Sequence, residues 1–161
     1  MGPCLSLCGN YLVISTRDSS TFVLDSSDGQ ELQVFQWTSE VRSRPLQFFH
    51  NGLCLILCTR LGQVVRLRAQ SSGNPDSFSV EASASLDAII SSTSDVYSSA
   101  TQSEDRSCQA FIVATLSNKI YAVSALSLQT IWQADVEGPI FSQPSVLSEH
   151  RFGSCSVSVI G

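Results

Sequence analysis

The chain has 161 residues, 43% hydrophobic and only 14% charged, with a formal net charge of −5. A charged fraction well below the roughly 25% of ordinary soluble domains predicts that much of the surface is covered, and the acidic balance excludes a binder of phosphate backbones, which needs clustered Lys and Arg. No apolar run reaches the roughly 20 residues of a membrane-spanning helix, so neither nucleic acid nor membrane is expected as a partner.

At the N-terminus, Met1 to Ser6 match a myristoylation pattern in form, but Pro3 directly follows the acceptor Gly2 and argues against it. No cationic segment precedes an apolar core there, so no secretory leader is expected. The six cysteines, at positions 4, 8, 54, 58, 108 and 155, are therefore expected as reduced thiols in a cytoplasmic chain. Tyr11 to Ser15 and Thr21 to Asp25 are rich in β-branched and aromatic residues and read as strands. Asp28-Gly29 marks a turn, and Gln30 to Trp37 alternates weakly.

Leu53 to Cys58 is apolar at every position, the signature of a strand covered on both faces. Cys54 and Cys58 within it share a face but stand about 13 Å apart along a strand, too far for one metal ion or a disulfide; they read as small buried hydrophobes. Val64 to Arg68 alternates, with Val65 and Leu67 on one side and Arg66 and Arg68 on the other. Those two arginines, with Arg60 nearby, read as a solvated or edge face. Ser71 to Pro75 is a loop by composition, and Leu86 to Ile90 is ambiguous between helix and strand. Ser91 to Ser107 reads as a flexible polar insertion, with acidic residues three positions after Ser92 and Thr101 that would suit an acid-directed kinase. Phe111 to Thr115, Ile120 to Val123 and Thr130 to Val136 form a further set of strands, and Phe152 to Ile160 opens another.

These elements repeat. An apolar strand ends in Thr16, Thr59 or Thr115, and six residues later Phe22, Val65 or Tyr121 restarts the apolar pattern. Ser43-Arg44-Pro45 and Ser142-Gln143-Pro144 each end 29 residues after the Thr of their copy, with Val41 and Ile140 four positions before the proline. The second copy departs from this rule. A period of roughly 40 to 50 residues carrying about four strands predicts β-propeller blades, each needing neighbours to cover its faces. The expected fold is all-β: a partial β-propeller of four-stranded antiparallel blades, about three of them plus the first strand of a fourth. The expected units are 10–50, 51–107 with its insertion, 108–149 and a partial 150–161.

The third copy resembles the pyrroloquinoline-quinone-like (PQQ-like) repeat, whose consensus is an apolar strand, a turn, "LYALDA-x-TG", a Trp, then "SSP". Ile120 to Ala125 fit the "LYALDA" strand, Trp132 takes the Trp position, and Gly138 to Pro144 fit the closing run. In the first copy, Phe22 to Gly29 fit "LYALDA-x-TG", with Asp25 and Gly29 in place, while Gln33 stands where the Trp would be. The matches span about residues 10 to 147. Within the family, the likeness is to the C-terminal propeller of amino-acid-activating, adenylate-forming ligases. That resemblance implies a parent that uses ATP to activate an amino acid and loads it on phosphopantetheine; none of that machinery lies in these residues.

The resemblance also assigns structural roles to Thr16, Asp25, Gly29, Pro45, Thr59, Thr115, Tyr121, Trp132 and Pro144, with Trp132 packing between strands or blades. The family's quinone and Ca²⁺ are not expected here. Asp18, Asp25, Asp28 and Asp87 lie in or near turns and read as backbone caps. His50 and His150 read as solvated loop residues, without the nucleophile and orienting partner that a catalytic triad requires. The expected function is a non-catalytic propeller segment for packing and for protein or ligand recognition, its partners being the remaining blades of a parent or another protein. The alternatives are a quinone-dependent dehydrogenase fragment, or a scaffold subunit lending blades to a partner.

Overall fold

The computed structural model describes residues 4–8, 10–70, 77–100, 107–151 and 154–160. Strands account for all the regular structure among them, with no helix. The first four-stranded sheet is β1 (Cys4–Cys8), β2 (Tyr11–Ser15), β3 (Ser20–Asp25) and β4 (Glu31–Gln36). The second is β5 (Leu46–Phe49), β6 (Leu53–Cys58), β7 (Gln63–Ala69) and β8 (Phe78–Ser85). The third runs β10 (Tyr97–Ala100), β11 (Ser107–Thr115), β12 (Lys119–Ser124) and β13 (Thr130–Asp135), with β9 (Ile90–Thr93) also paired to β11. A two-stranded sheet follows, β14 (Ser145–Arg151) with β15 (Ser154–Ile160). Each sheet is an antiparallel meander in sequence order, as propeller blades require.

The repeated threonine closes the hairpin between the second and third strands of each blade. The Thr16 N–H donates to the Ser20 carbonyl at 2.9 Å, and the Thr59 N–H to the Gln63 carbonyl at 2.8 Å. The Thr115 hydroxyl donates to the Lys119 carbonyl at 2.7 Å. Three residues past each Thr the backbone turns left-handed, at Ser19, Gly62 and Asn118, with φ of 71°, 90° and 59°. The carbonyl of that residue then accepts the N–H just beyond the fourth strand: Trp37 to Ser19 at 2.9 Å, Leu86 to Gly62 at 2.8 Å and Val136 to Asn118 at 2.9 Å. One local device thus ties the third strand's start to the fourth strand's end in all three blades. It recurs because a four-residue turn closed by a threonine hydroxyl and a left-handed residue is encoded locally.

The chain divides into two compact units, Met1–Ile90 and Ser91–Gly161. In the first, the face of blade one that carries Val13 and Val23 packs on Leu55, Leu57, Val65, Leu67 and Phe78 of blade two. Along β6 the side chains alternate, and Cys54 to Cys58 are all fully buried, so this strand is covered from both sides as its sequence requires. In the second unit, Ile112, Ile120 and Ala122 form the core, with Tyr97, Val136, Ile140 and Val146 packed against it.

Several expectations are corrected. Where it is described, at 91–100 and 107, the segment Ser91 to Ser107 carries β9, β10 and the first residue of β11, with Ser91, Thr93 and Ser94 buried, while 101–106 lie outside the described residues. The Ser94 hydroxyl accepts the Ile112 N–H at 2.8 Å, and the Ser94 N–H donates to the Ile112 carbonyl at 2.9 Å. Ser94 can line a sheet interior because backbone groups satisfy its hydroxyl; the buried Ser91 and Thr93 hydroxyls find no partner among the described residues. The segment 86–90 is not helical; Leu86 binds the Gly62 carbonyl, and Ile90 donates to that of Arg60 at 2.9 Å. His150 lies within β14, opposite Cys155, rather than in a loop. The last sheet holds two strands, the first of them the polar Ser145–Arg151. Blades also begin one strand earlier than the sequence units, because the repeat signal starts at the second strand, where the apolar run is strongest.

Candidate interaction site

At the junction of blades one and two, Gln33 on β4 reaches Phe78, the first residue of β8. Its amide Nε2 donates to the Phe78 carbonyl at 2.9 Å, and its Oε1 accepts the Phe78 N–H at 2.7 Å. The Tyr11 ring meets that of Phe78 edge-on, with centroids 5.1 Å apart, and Phe35 stacks on Trp37 at 5.5 Å. The connection leaving β4 then docks on the Thr59 turn. Val41 bridges Thr59, the Arg60 N–H donates to the Glu40 carbonyl at 2.7 Å, and the Leu61 N–H donates to the Ser39 hydroxyl at 3.2 Å. Glu40 also pairs with Arg42 at 2.7 Å and with Arg60 at 3.6 Å.

Blade three repeats blade one without insertion or deletion from the second strand to the proline, every position displaced by 99 residues, as from Thr16 to Thr115. Strands β3 and β4 map in this way onto β12 and β13. The surroundings differ. Val41 and Ser43 are each 5% exposed, whereas their counterparts Ile140 and Ser142 are half-buried and exposed. Gln33 is half-buried; Trp132, its counterpart, is 37% exposed on a strand whose residues are all exposed. Ile131 and Phe141 stand out at 49% and 73%. A cavity of about 540 Å³ is lined by Ile120, Val136 and the segment 137–142, Phe141 among them.

Inside the second unit Trp132 sits opposite Ala122 and is 37% exposed. Asp25 accepts from the Ser27 N–H at 2.7 Å and its hydroxyl at 2.6 Å, and its own carbonyl takes the Gly29 N–H at 2.9 Å. Gly29 adopts φ of 75° to close that turn. Pro45 and Pro144 are buried, directly before β5 and β14, where a missing N–H costs no ladder bond. Tyr121 is 7% exposed, opposite Val113 and Gln133.

Asp18 accepts from the Thr16 hydroxyl and from the Ser20 N–H, and Asp28 from the Gln30 N–H at 2.9 Å. Hydrogen bonds from Thr16 and Ser27 hold the Asp18 and Asp25 carboxyls below the usual range. Asp87 is exposed between β8 and β9. Among the described residues no cluster of three His, Cys, Asp or Glu could hold a metal.

The arginine stripe is not a free cationic face. Arg66 and Arg68 both bind Glu81, at 2.9 and 2.6 Å, and the Arg66 side chain is only 11% exposed. Sequence reading missed this because Glu81 reaches them from β8 beside a register shift at Arg66/Leu67. His50 heads the tight turn into β6, where its N–H donates to the Gly52 carbonyl at 2.9 Å. Ser92 spends its hydroxyl on the Ser142 carbonyl at 2.7 Å, which does not suit a kinase acceptor, and Thr101 lies outside the described residues. Burial drives the Cys58 thiol up to about 12 and raises that of Cys54. Both are free and buried, so neither is a ready nucleophile.

No family model and no curated protein matches this sequence. Solved structures do match. BamB from Moraxella catarrhalis is similar over 91% of this chain and 40% of its own, at 16% identity and a TM-score of 0.61. BBS1N, solved in complex with ARL6DN, is similar over 92% of this chain and 39% of its own, at 12% identity and a TM-score of 0.60. Both are β-propeller proteins. The fold is a partial β-propeller. The chain spans about 40% of the length of these neighbours.

Proposed function

We propose that this chain is a non-catalytic segment of a larger PQQ-like propeller, working through packing and protein recognition. In this reading it forms the C-terminal part of a cytoplasmic, amino-acid-activating ligase of the β-alanine-activating type. The observation that carries the packing role is β6, buried on both faces from Cys54 to Cys58. A strand of that kind serves only as the interior of a stack. The solved complex of BBS1N with ARL6DN supports a recognition role for such a fold.

The PQQ-like type and the ligase parent rest on the residue matches from Phe22 to Gly29 and from Ile120 to Pro144. No quinone or Ca²⁺ is assigned, because Asp18, Asp25 and Asp28 direct their carboxylates to turn groups. The test is immunopurification of the native polypeptide with an antibody raised to these residues, followed by ATP–pyrophosphate exchange with β-alanine. A longer polypeptide with β-alanine-dependent exchange supports the reading. Quinone-dependent dye reduction without exchange overturns it in favour of a dehydrogenase.

A further inference from the structure

We infer that the face of β13 bearing Trp132, together with the adjoining cavity, is the seat of a third and a fourth strand that complete the β14–β15 sheet. These strands come from the same polypeptide as a hairpin next to β15. The inference rests on the larger-propeller reading and adds the place and chemistry of the missing contact.

Its warrant is a template inside the chain. At a displacement of 99 residues, Gln33, Val41 and Ser43 become Trp132, Ile140 and Ser142. In the first unit the residues that cover these positions come from identifiable elements of the next blade. Phe78 of β8 receives Gln33, the Thr59 turn receives Glu40 and Val41, and Val65 and Leu67 of β7 complete the apolar contact. In the second unit the next sheet consists, among the described residues, of β14 and β15, with β15 paired to β14 alone. Val146 of β14 meets the shared core, as an inner strand should. Two of the positions whose counterparts lose burial, Gln33 and Val41, are met in the template by an outer strand and by the Thr59 turn.

The cavity has the matching chemistry. It is lined by Ile120, Val136, Ile140 and Phe141 together with residues 137–139, whose counterparts 38–40 carry the Thr59 turn in the template. The occupant is therefore a hairpin turn followed by a strand whose apolar residue faces Trp132. A covalent continuation is favoured over a separate chain, since in each complete blade the second and third strands are joined by three or four residues. Trp in place of Gln33 exchanges a backbone clamp for apolar area, which suits a strand presenting a side chain rather than an open peptide group.

The test places photoreactive p-benzoylphenylalanine at Trp132, and separately at Gln133, in cells making the native protein, and sequences the cross-linked peptides. Trp132 and Gln133 pair in regular order with Ala122 and Tyr121, clear of the register shift, and so face opposite ways. The inference expects position 132, and not 133, to capture a segment of the same polypeptide that follows β15. It also expects acrylamide quenching of Trp132, isolated by difference from W132F, to drop several-fold from the 161-residue chain to the native polypeptide. Capture of a second copy, of a different polypeptide, or equal capture from both positions overturns it, as does unchanged quenching. A longer, adenylating polypeptide in which Trp132 stays open to quencher overturns this inference alone; a dye-reducing quinoprotein overturns the reading beneath it.

Discussion

Gln33 grips Phe78 by both backbone groups, donating to its carbonyl at 2.9 Å and accepting its N–H at 2.7 Å. The two residues lie 45 positions apart on the fourth strands of neighbouring blades. A side-chain amide used in this way imitates one more strand pair, and it fixes the height of one blade against the next as well as holding them together. It also satisfies the edge of β8 where that strand begins.

Replacing Gln33 by Ala leaves both Phe78 groups without that partner and should cost about 2 kcal/mol in urea unfolding. Gln33→Glu is the sharper variant. Its carboxylate still accepts the Phe78 N–H but faces the Phe78 carbonyl with no proton to give. We expect it to destabilise near neutral pH and to recover stability as the carboxyl protonates in acid.

The hairpin threonines act through their side chains as well as their backbone. Thr115 is fully buried, and its hydroxyl both donates to the Lys119 carbonyl and accepts the Lys119 N–H at 3.3 Å. Thr115→Val keeps the shape and removes these bonds, for an expected loss of about 1–2 kcal/mol in chemical denaturation. Thr115→Ser should lose much less. The same pair of variants at Thr59, whose hydroxyl accepts the Gln63 N–H at 3.2 Å, should follow the same order.

Gly62 is the one hairpin position with no room for a side chain. At φ of 90°, an added Cβ would lie 2.0 Å from the Leu86 carbonyl oxygen and 2.9 Å from that of Ala88. Both are backbone atoms and cannot swing aside. Gly62→Ala should therefore cost about 3 kcal/mol or more and lower the melting temperature sharply. Ser19 and Asn118, at the equivalent turns, show that the left-handed geometry alone does not demand glycine.

Cys58 links stability to alkaline pH. Its folded pKa is raised from 9.0 to about 12 by burial, so the folded state holds the proton that the unfolded chain gives up first. The stabilisation is complete below pH 9 and is lost as pH rises from there towards 12. Across that window Cys58 should cost about 1.4 kcal/mol per pH unit. Melting temperatures of wild type and Cys58→Ala between pH 8 and 10.5 check this, with the slope shallower in the variant. The native thiol should also resist alkylation until the chain unfolds.

Much of the architecture was legible in the residues. The apolar strand ending in Thr16, Thr59 and Thr115, the turn that follows and the apolar restart mark hairpins whose geometry is local, and strand identity needs little more than pleat and turn chemistry. The six apolar residues of β6 announced a strand covered on both faces. The prolines at 45 and 144 were legible as a repeated signal, though only the structure shows that each stands directly before the first strand of the next sheet. What was misread depended on partners remote in sequence. Ser91, Thr93 and Ser94 look like a polar loop until Ile112 is seen to satisfy Ser94. Arg66 and Arg68 look like a solvated face until Glu81 reaches them from β8.

The sequence by itself determined the strands, their hairpins and the blade repeat, because each depends on contacts within a few residues along the chain. Only the tertiary structure decided which blade faces are covered and which are open. That Gln33 is clamped while Trp132 stands exposed follows from what the next sheet offers each of them, a property of strands brought together in space rather than of the two residues themselves.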